Sequence, residues 1–112
     1  MSGKFYFVSI ILLLPLSSLQ ASPKMTREKY ISLHKEDAVR DMLRTGVPAS
    51  ITLAQAAFES GDGNSELART ANNHFGIKCH NEWTGETYKQ DDENRNECFR
   101  KYNTVLESFD DH

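Results

Sequence analysis

The sequence predicts a small α+β domain, mainly helical, with one β-hairpin lobe. Three observations carry that expectation. Apolar residues recur at three- and four-residue steps between residues 26 and 59, extended and turn-punctuated stretches follow His74, and a fresh helix signal appears at Thr104. The 112 residues suffice for one domain. A formal net charge of −3 offers no basic patch, so no nucleic-acid partner is expected. Mild acidity also excludes simple charge attraction as the means of holding an anionic polymer.

The first segment reads as an address, not as part of the fold. Lys4 supplies a positive charge, Phe5 to Leu14 (FYFVSIILLL) is uncharged and almost wholly apolar, Pro15 and Ser17-Ser18 interrupt it, and Ala21 offers a cleavage point. That order is that of a secretory signal peptide over residues 1–21. The apolar run is shorter than the roughly 20 residues a membrane-spanning helix needs. Leu19 is bulky where a small residue is preferred, so cleavage at Ala21 itself is the weaker part of this reading. A buried N-terminal helix or an uncleaved anchor is the alternative. Export to the periplasm, cell envelope or medium is expected, with no membrane attachment after cleavage. Cys79 and Cys98 are the only cysteines, and an even count in an exported chain reads as a disulfide. Two free thiols, or a metal pair helped by His80, are the alternatives. Cys79, His80 and Cys98 do not form a known zinc spacing, so no metal is expected.

Each helix has its own signals. Between Thr26 and Thr45 the residues Tyr30, Ile31, His34, Ala38 and Met42 mark one face. Thr26 suits the N-cap, with Lys29 instead of Glu at the third position, and Gly46 suits the residue past the end. A second helix starts at Val47-Pro48, where proline is tolerated in the first turn. Ile51, Ala54 and Phe58 form its apolar stripe, and Thr52, Gln55 and Glu59 a polar one. Gly61 and Gly63 end it. Glu59 therefore falls in the last turn, at the negative end of the helix macrodipole and beside Phe58. Partial burial is expected there. Both influences favour the neutral, proton-carrying carboxyl, the state a general acid needs at neutral pH. Taken alone, the position reads more plainly as a solvent-facing glutamate.

Asn64-Ser65 caps a short third helix, Ser65 to Thr70, and Ala71-Asn72-Asn73 stops it. HFGIKCH and WTGETYKQ look extended, DDENRN forms a polar turn and ECFRKY returns, giving a lobe of two or three strands between residues 75 and 102. Thr104 with Glu107 is a capping box, so a helix begins at about residue 105. Two turns remain before His112, too little surface to dock well. The chain therefore reads as a domain truncated before its C-terminal helices.

The run from Gly46 to Tyr88 (GVPASITLAQAAFESGDGNSELARTANNHFGIKCHNEWTGETY) and the continuation to His112 carry an ordered motif set: LAQ, ESG, LA, NN, FGIK, W-x-G and FR-x-Y. In that order and spacing the set resembles the glucosaminidase family, glycoside hydrolase family 73, also flagellar-muramidase-like, over residues 26–112. The resemblance implies a lysozyme-like fold whose helices form one wall of a cleft and whose β-lobe forms the other. It implies Glu59 as the catalytic acid, since Glu59 matches the Glu of LAQ-x-x-x-E-S-G.

A second carboxylate is implied in the lobe before FR-x-Y. Asp91, Asp92, Glu93 and Glu97 are the choices, with Glu93 best placed relative to W-T-G and Asp92 next. A solvated turn is the competing reading of that acidic run. An N-acetyl sugar can also supply its own acetamido oxygen as nucleophile. Gln55, Asn73, Phe75, Trp83 and Tyr102 are the candidate substrate-binding residues. The amide of Asn73 suits hydroxyl and acetamido groups. Asn72 stands open between binding and a helix stop, and His74 between a structural and a binding role. Trp83 and Tyr102 offer ring faces, with core packing the alternative for Trp83; Tyr88 is a weaker candidate of the same kind.

One departure stands out. Many family members place Trp between the two glycines after the catalytic Glu, where this chain has Asp62, a possible extra charge beside Glu59. The family's tyrosine-bearing region beyond FR-x-Y falls past His112. The implied activity is that of a peptidoglycan hydrolase, an endo-β-N-acetylglucosaminidase cutting after GlcNAc. It acts on the peptidoglycan glycan strand as a monomer, with no metal or organic cofactor. A muramidase or lytic transglycosylase of the same fold is the nearest alternative, although the GLMQ-like motif of the transglycosylases is absent. A non-catalytic cell-wall-binding module is the other.

Overall fold

The computed structural model describes Gly3, residues 23–92 and residues 95–112. The expected signal peptide, Gly3 apart, and Glu93 lie outside the described residues. Six elements follow in order: α1 (Arg27–Thr45), α2 (Ala49–Ser60), α3 (Glu66–Ala71), β1 (Thr87–Asp92), β2 (Arg95–Arg100) and α4 (Val105–Asp111). No helix among the described residues is long and apolar enough to cross a membrane.

The helix boundaries come from local hydrogen bonds. Thr26 Oγ1 accepts from the Lys29 N–H at 3.2 Å, and Gly46, left-handed at φ 82°, closes α1 by donating to Met42 O. Ser65 Oγ accepts from the Ala68 N–H at 3.1 Å and starts α3. At α4, Thr104 Oγ1 accepts from the Glu107 N–H at 3.3 Å, while Glu107 Oε2 reaches back to the Asn103 N–H at 3.1 Å. Each satisfies donors that a helix start leaves unpaired. Helix α2 begins at Ala49, with Pro48 as the residue before it and not within the first turn.

The main core gathers Tyr30 and Ala38 from α1, Ala56 and Ala57 from α2, Phe75, and Phe109 from α4. Here α2 departs from the expected pattern. It buries Thr52, Ala56, Ala57 and Ser60, whereas Ile51 is 51% and Phe58 81% exposed. Small side chains let the α1 backbone approach closely, and that packing outweighs the burial of two larger residues. Phe58, Leu53 and Ala54 instead line a groove of about 530 Å³ that they share with Ile31 and Arg27 of α1.

Helix α4 also departs from expectation, because it docks despite its length. Phe109 is fully buried and meets Phe75 edge-on with ring centres 5.0 Å apart. Arg44 donates to Asp110 O at 2.9 Å, and Arg40 pairs with the Asp110 carboxylate at 3.7 Å. One large aromatic anchor and these contacts hold seven residues in place.

The lobe is a two-stranded antiparallel hairpin, in register from Thr87↔Arg100 to Asp92↔Arg95. Asp91, Asp92, Arg95 and Asn96, expected in the turn, are strand residues. The HFGIKCH stretch is not a third strand. It meets β2 through one bridge, Lys78↔Phe99, with Cys79 N–H donating to Cys98 O at 2.9 Å and Arg100 N–H to Ile77 O at 3.0 Å. The disulfide Cys79–Cys98 fastens the same junction. A closed loop of roughly 20 residues is worth about 3 kcal/mol in the chain-entropy model. A second cluster, Leu67, Ala71 and Phe99 with Tyr88, seats α3 on the hairpin, and Tyr88 OH donates to Glu66 Oε1 at 2.6 Å.

Candidate active site

The packing of α2 decides where Glu59 points. With Thr52, Ala56 and Ser60 turned inward, Glu59 comes to the rim of the helix and is exposed, as is Gln55 one turn earlier. The expected partial burial of Glu59 is therefore not found. The small-residue face of α2, not its Phe58 face, meets the core. No salt bridge among the described residues engages Glu59. Its neighbour is backbone: Glu59 Oε2 lies 3.9 Å from where a Cβ on Gly76 would stand. Gly76 is left-handed at φ +66°, a conformation glycine adopts without strain. The end of α2 thus faces the loop Asn73–Ile77.

That loop is braced from inside. Asn73 is 1% exposed; its Nδ2 donates to Ile77 O and Arg100 O, each at 2.9 Å, and its Oδ1 accepts from Ile77 N–H at 3.0 Å. Asn72 ends α3 in a left-handed conformation and donates to Tyr102 O at 3.0 Å. Phe75 is buried against Phe109, and His112 stacks on it with centroids 3.9 Å apart. His74 Nδ1 and Tyr30 OH share a buried hydrogen bond of 2.7 Å.

Across the lobe, Trp83 is half-buried. Its indole N–H donates to Glu86 O at 2.8 Å, the Arg100 guanidinium lies 4.8 Å from the ring centre, and Gly85 packs so tightly that an added Cβ would fall 2.5 Å from the ring. Tyr102 is 5% exposed and donates to Asp111 Oδ2 at 2.5 Å, while Arg100 pairs with the same carboxylate oxygen at 2.9 Å. Burial, and then the Asp111 carboxylate, push the Tyr102 hydroxyl pKa well up.

The sequence-derived binding set therefore divides. Gln55 stands exposed beside Glu59. Asn73, Phe75 and Tyr102 form the frame behind the surface, because their polar atoms are satisfied and their rings covered. Trp83 has Arg100 over its ring. Of the candidate second carboxylates, Glu97 pairs with Lys78 at 3.8 Å, and Asp91 and Asp92 stand opposite Asn96 and Arg95 in the ladder. Asp62 is turned away from the role of an extra charge, since Arg27 Nε holds it at 3.0 Å. No group of three or more His, Cys, Asp or Glu among the described residues is placed to hold a metal ion. The sequence placed Tyr30 only on a helix face and gave Asp111 no role, since their partners lie 44 and 9 positions away. No local spacing signals such pairs.

The family model described as Glucosaminidase, mannosyl-glycoprotein endo-beta-N-acetylglucosaminidase, matches residues 35–112. The chain belongs to the glucosaminidase family. Over 69 residues this glucosaminidase chain is 46% identical to the exo-glucosaminidase LytG of Bacillus subtilis (strain 168), covering 56% of the chain and 24% of LytG. Two solved structures share its fold. The glycoside hydrolase domain of FlgJ from Salmonella typhimurium superposes with a TM-score of 0.66 at 29% identity, over 78% of this chain and 58% of that domain. A peptidoglycan hydrolase from Sphingomonas sp. A1 superposes with a TM-score of 0.69 at 30% identity, over 77% of this chain and 58% of that one. The fold is thus the lysozyme-like mixture of helices and a small antiparallel sheet. The chain spans less than two thirds of the length of each of these relatives.

Proposed function

We propose that this glucosaminidase acts on the glycan strands of peptidoglycan outside the cytoplasmic membrane, as an endo-β-N-acetylglucosaminidase with Glu59 as its general acid. The observation that carries the proposal is the state of Glu59: exposed at the end of α2, free of ion pairs among the described residues, and set over a glycine that leaves space beside it. A cation against a carboxyl group favours the ionised form, which has no proton to donate, and no salt bridge among the described residues places one at Glu59.

In the proposed reaction a strand lies along the end of α2 and the Asn73–Ile77 loop, with Gln55 beside the reacting sugar. Glu59 donates its proton to the glycosidic oxygen as the bond breaks. The sugar itself covers Glu59 on binding and supplies the desolvation that the free chain lacks. A carboxylate of the β1–β2 lobe, assigned to Glu93 with Asp92 next, activates water or steadies the oxocarbenium-like state. The relatives, an exo-glucosaminidase, a glycoside hydrolase domain and a peptidoglycan hydrolase, support the substrate class. The likeness to LytG favours a second reading, an exo cut, which the size of the products separates from an endo cut.

Incubating the protein with purified cell walls tests the proposal. Wild type releases new reducing ends, Glu59→Gln does not, and mass spectrometry finds GlcNAc at those ends. Retained activity in Glu59→Gln would falsify the assignment. MurNAc or anhydro-MurNAc termini would move the enzyme to the muramidases or transglycosylases.

A further inference from the structure

We propose that Tyr30 and His74 form a positioning strut that fixes the distance between the end of α2 and Gly76, and so determines how Glu59 presents its carboxyl group. The inference rests on Glu59 being the proton donor proposed above.

Both segments that flank the carboxyl group converge on this pair. Following Glu59 in the chain, Ser60 Oγ accepts from the Gly63 N–H at 2.8 Å, and Gly63 lies against the Tyr30 ring. An added Cβ there would stand 3.1 Å from Tyr30 Cδ2 and 3.6 Å from His74 Cε1. On the facing side, His74 lies two positions before Gly76, the residue that Glu59 Oε2 approaches. The Tyr30–His74 bond of 2.7 Å joins the two segments through the core, with the rings stacked at 5.6 Å.

Stability alone does not require a polar pair here. A hydrogen bond nets only about 1 kcal/mol, and two apolar rings would fill the space as well. What the bond adds is direction, and misplacing a reacting group by about 1 Å costs on the order of a hundredfold in rate. The surroundings keep both partners neutral. Burial pushes the Tyr30 hydroxyl up to about 12 and His74 down to about 4. The groups facing the pair include the Ser60 hydroxyl, which hydrogen-bonds Tyr30, the Asp62 carboxylate, Phe109, and His34, 4.5 Å from Tyr30 and 5.2 Å from His74 between ring centres, with Asp37 at 3.6 Å from His34. The Tyr30 hydroxyl and His74 Nδ1 therefore share a hydrogen bond between two neutral groups across the physiological range.

Tyr30→Phe keeps the ring and removes the hydroxyl. It is expected to lower the maximal rate of reducing-end release roughly tenfold or more, with KM changed less than about twofold. In a Glu59→Gln background the same substitution has no further effect, because the strut acts through Glu59. His74→Gln, which still offers an acceptor to Tyr30, retains more activity than His74→Leu. Without substrate, the Gly76 amide resonance shifts as Glu59 titrates in wild type, and Tyr30→Phe changes that response. An equal loss in the Glu59→Gln background, or an unchanged Gly76 response in Tyr30→Phe, overturns the strut. If Glu59→Gln keeps full activity, the proposed reaction falls, and the Gly76 resonance still decides whether the strut sets Glu59.

Discussion

Asp111 and Glu59 both sit in the last turn of a helix, α4 and α2, where the negative end of the macrodipole disfavours an anion by about 0.3–1 kcal/mol. Around Asp111 the fold compensates. Arg100 reaches its carboxylate at 2.9 Å and Tyr102 at 2.5 Å, and through them α4 is tied to the end of the hairpin beside Trp83. Around Glu59 it does not: no salt bridge among the described residues reaches that side chain, and its near neighbour is the backbone of Gly76. The same local electrostatics thus serve two ends. One acid is neutralised by partners and holds the molecule together. The other meets no cation among the described residues.

Substitutions sharpen that contrast. The largest effect is expected for Glu59→Gln, which should lower glycan cleavage by about 10²–10⁴-fold, the usual worth of a general acid. An equal loss from Asp111→Asn, with folding intact, would erase the distinction. Next comes acid sensitivity. The unfolded chain protonates His74 near 6.5, but in the folded core burial holds it to about 4, so stability is full above pH 6.5 and declines as pH falls from 6.5 to 4. The decline is up to about 3 kcal/mol, and His74→Phe should remove most of it in melts across that window. A slope that survives in His74→Phe assigns the acid loss to other groups, the neighbouring His34 among them, whose pKa burial also lowers. Asp111→Ala should then cost about 2 kcal/mol through the lost charge-assisted hydrogen bonds, read as a lower melting temperature. The smallest effect belongs to Glu59→Ala, within about 0.5 kcal/mol of wild type in the same melts. A drop as large as that of Asp111→Ala would show that Glu59 is structural after all.

Much of the architecture was legible in the sequence. Thr26, Gly46, Ser65 and Thr104 with Glu107 end their helices within one residue of the expected places, because each acts through bonds to residues three or four positions away. The disulfide was legible from the count of two cysteines. The buried face of α2 was not. Its apolar stripe at Ile51, Ala54 and Phe58 looks like a core face, yet the fold prefers Thr52, Ala56, Ala57 and Ser60 because α1 must come close. Site residues divided in the same way. Glu59 is proposed from its motif and its place at the helix end, and neither shows the exposure that the packing of α2 gives it. Asn73, Phe75 and Tyr102 carry groups fit for a sugar, and nothing in the chain order shows that backbone, Phe109 and Asp111 already occupy them.

By itself the sequence determined where helices begin and stop, that a hairpin follows them, and which carboxylate stands at the end of α2. Those features depend on neighbours along the chain, whose proximity is guaranteed by covalent connection. Only the tertiary structure decided which face of α2 is buried, that Asp111 is paired, and that Tyr30 meets His74 across 44 positions. Such choices come from competition between surfaces for the same core, and that competition has no outcome until the whole chain has packed.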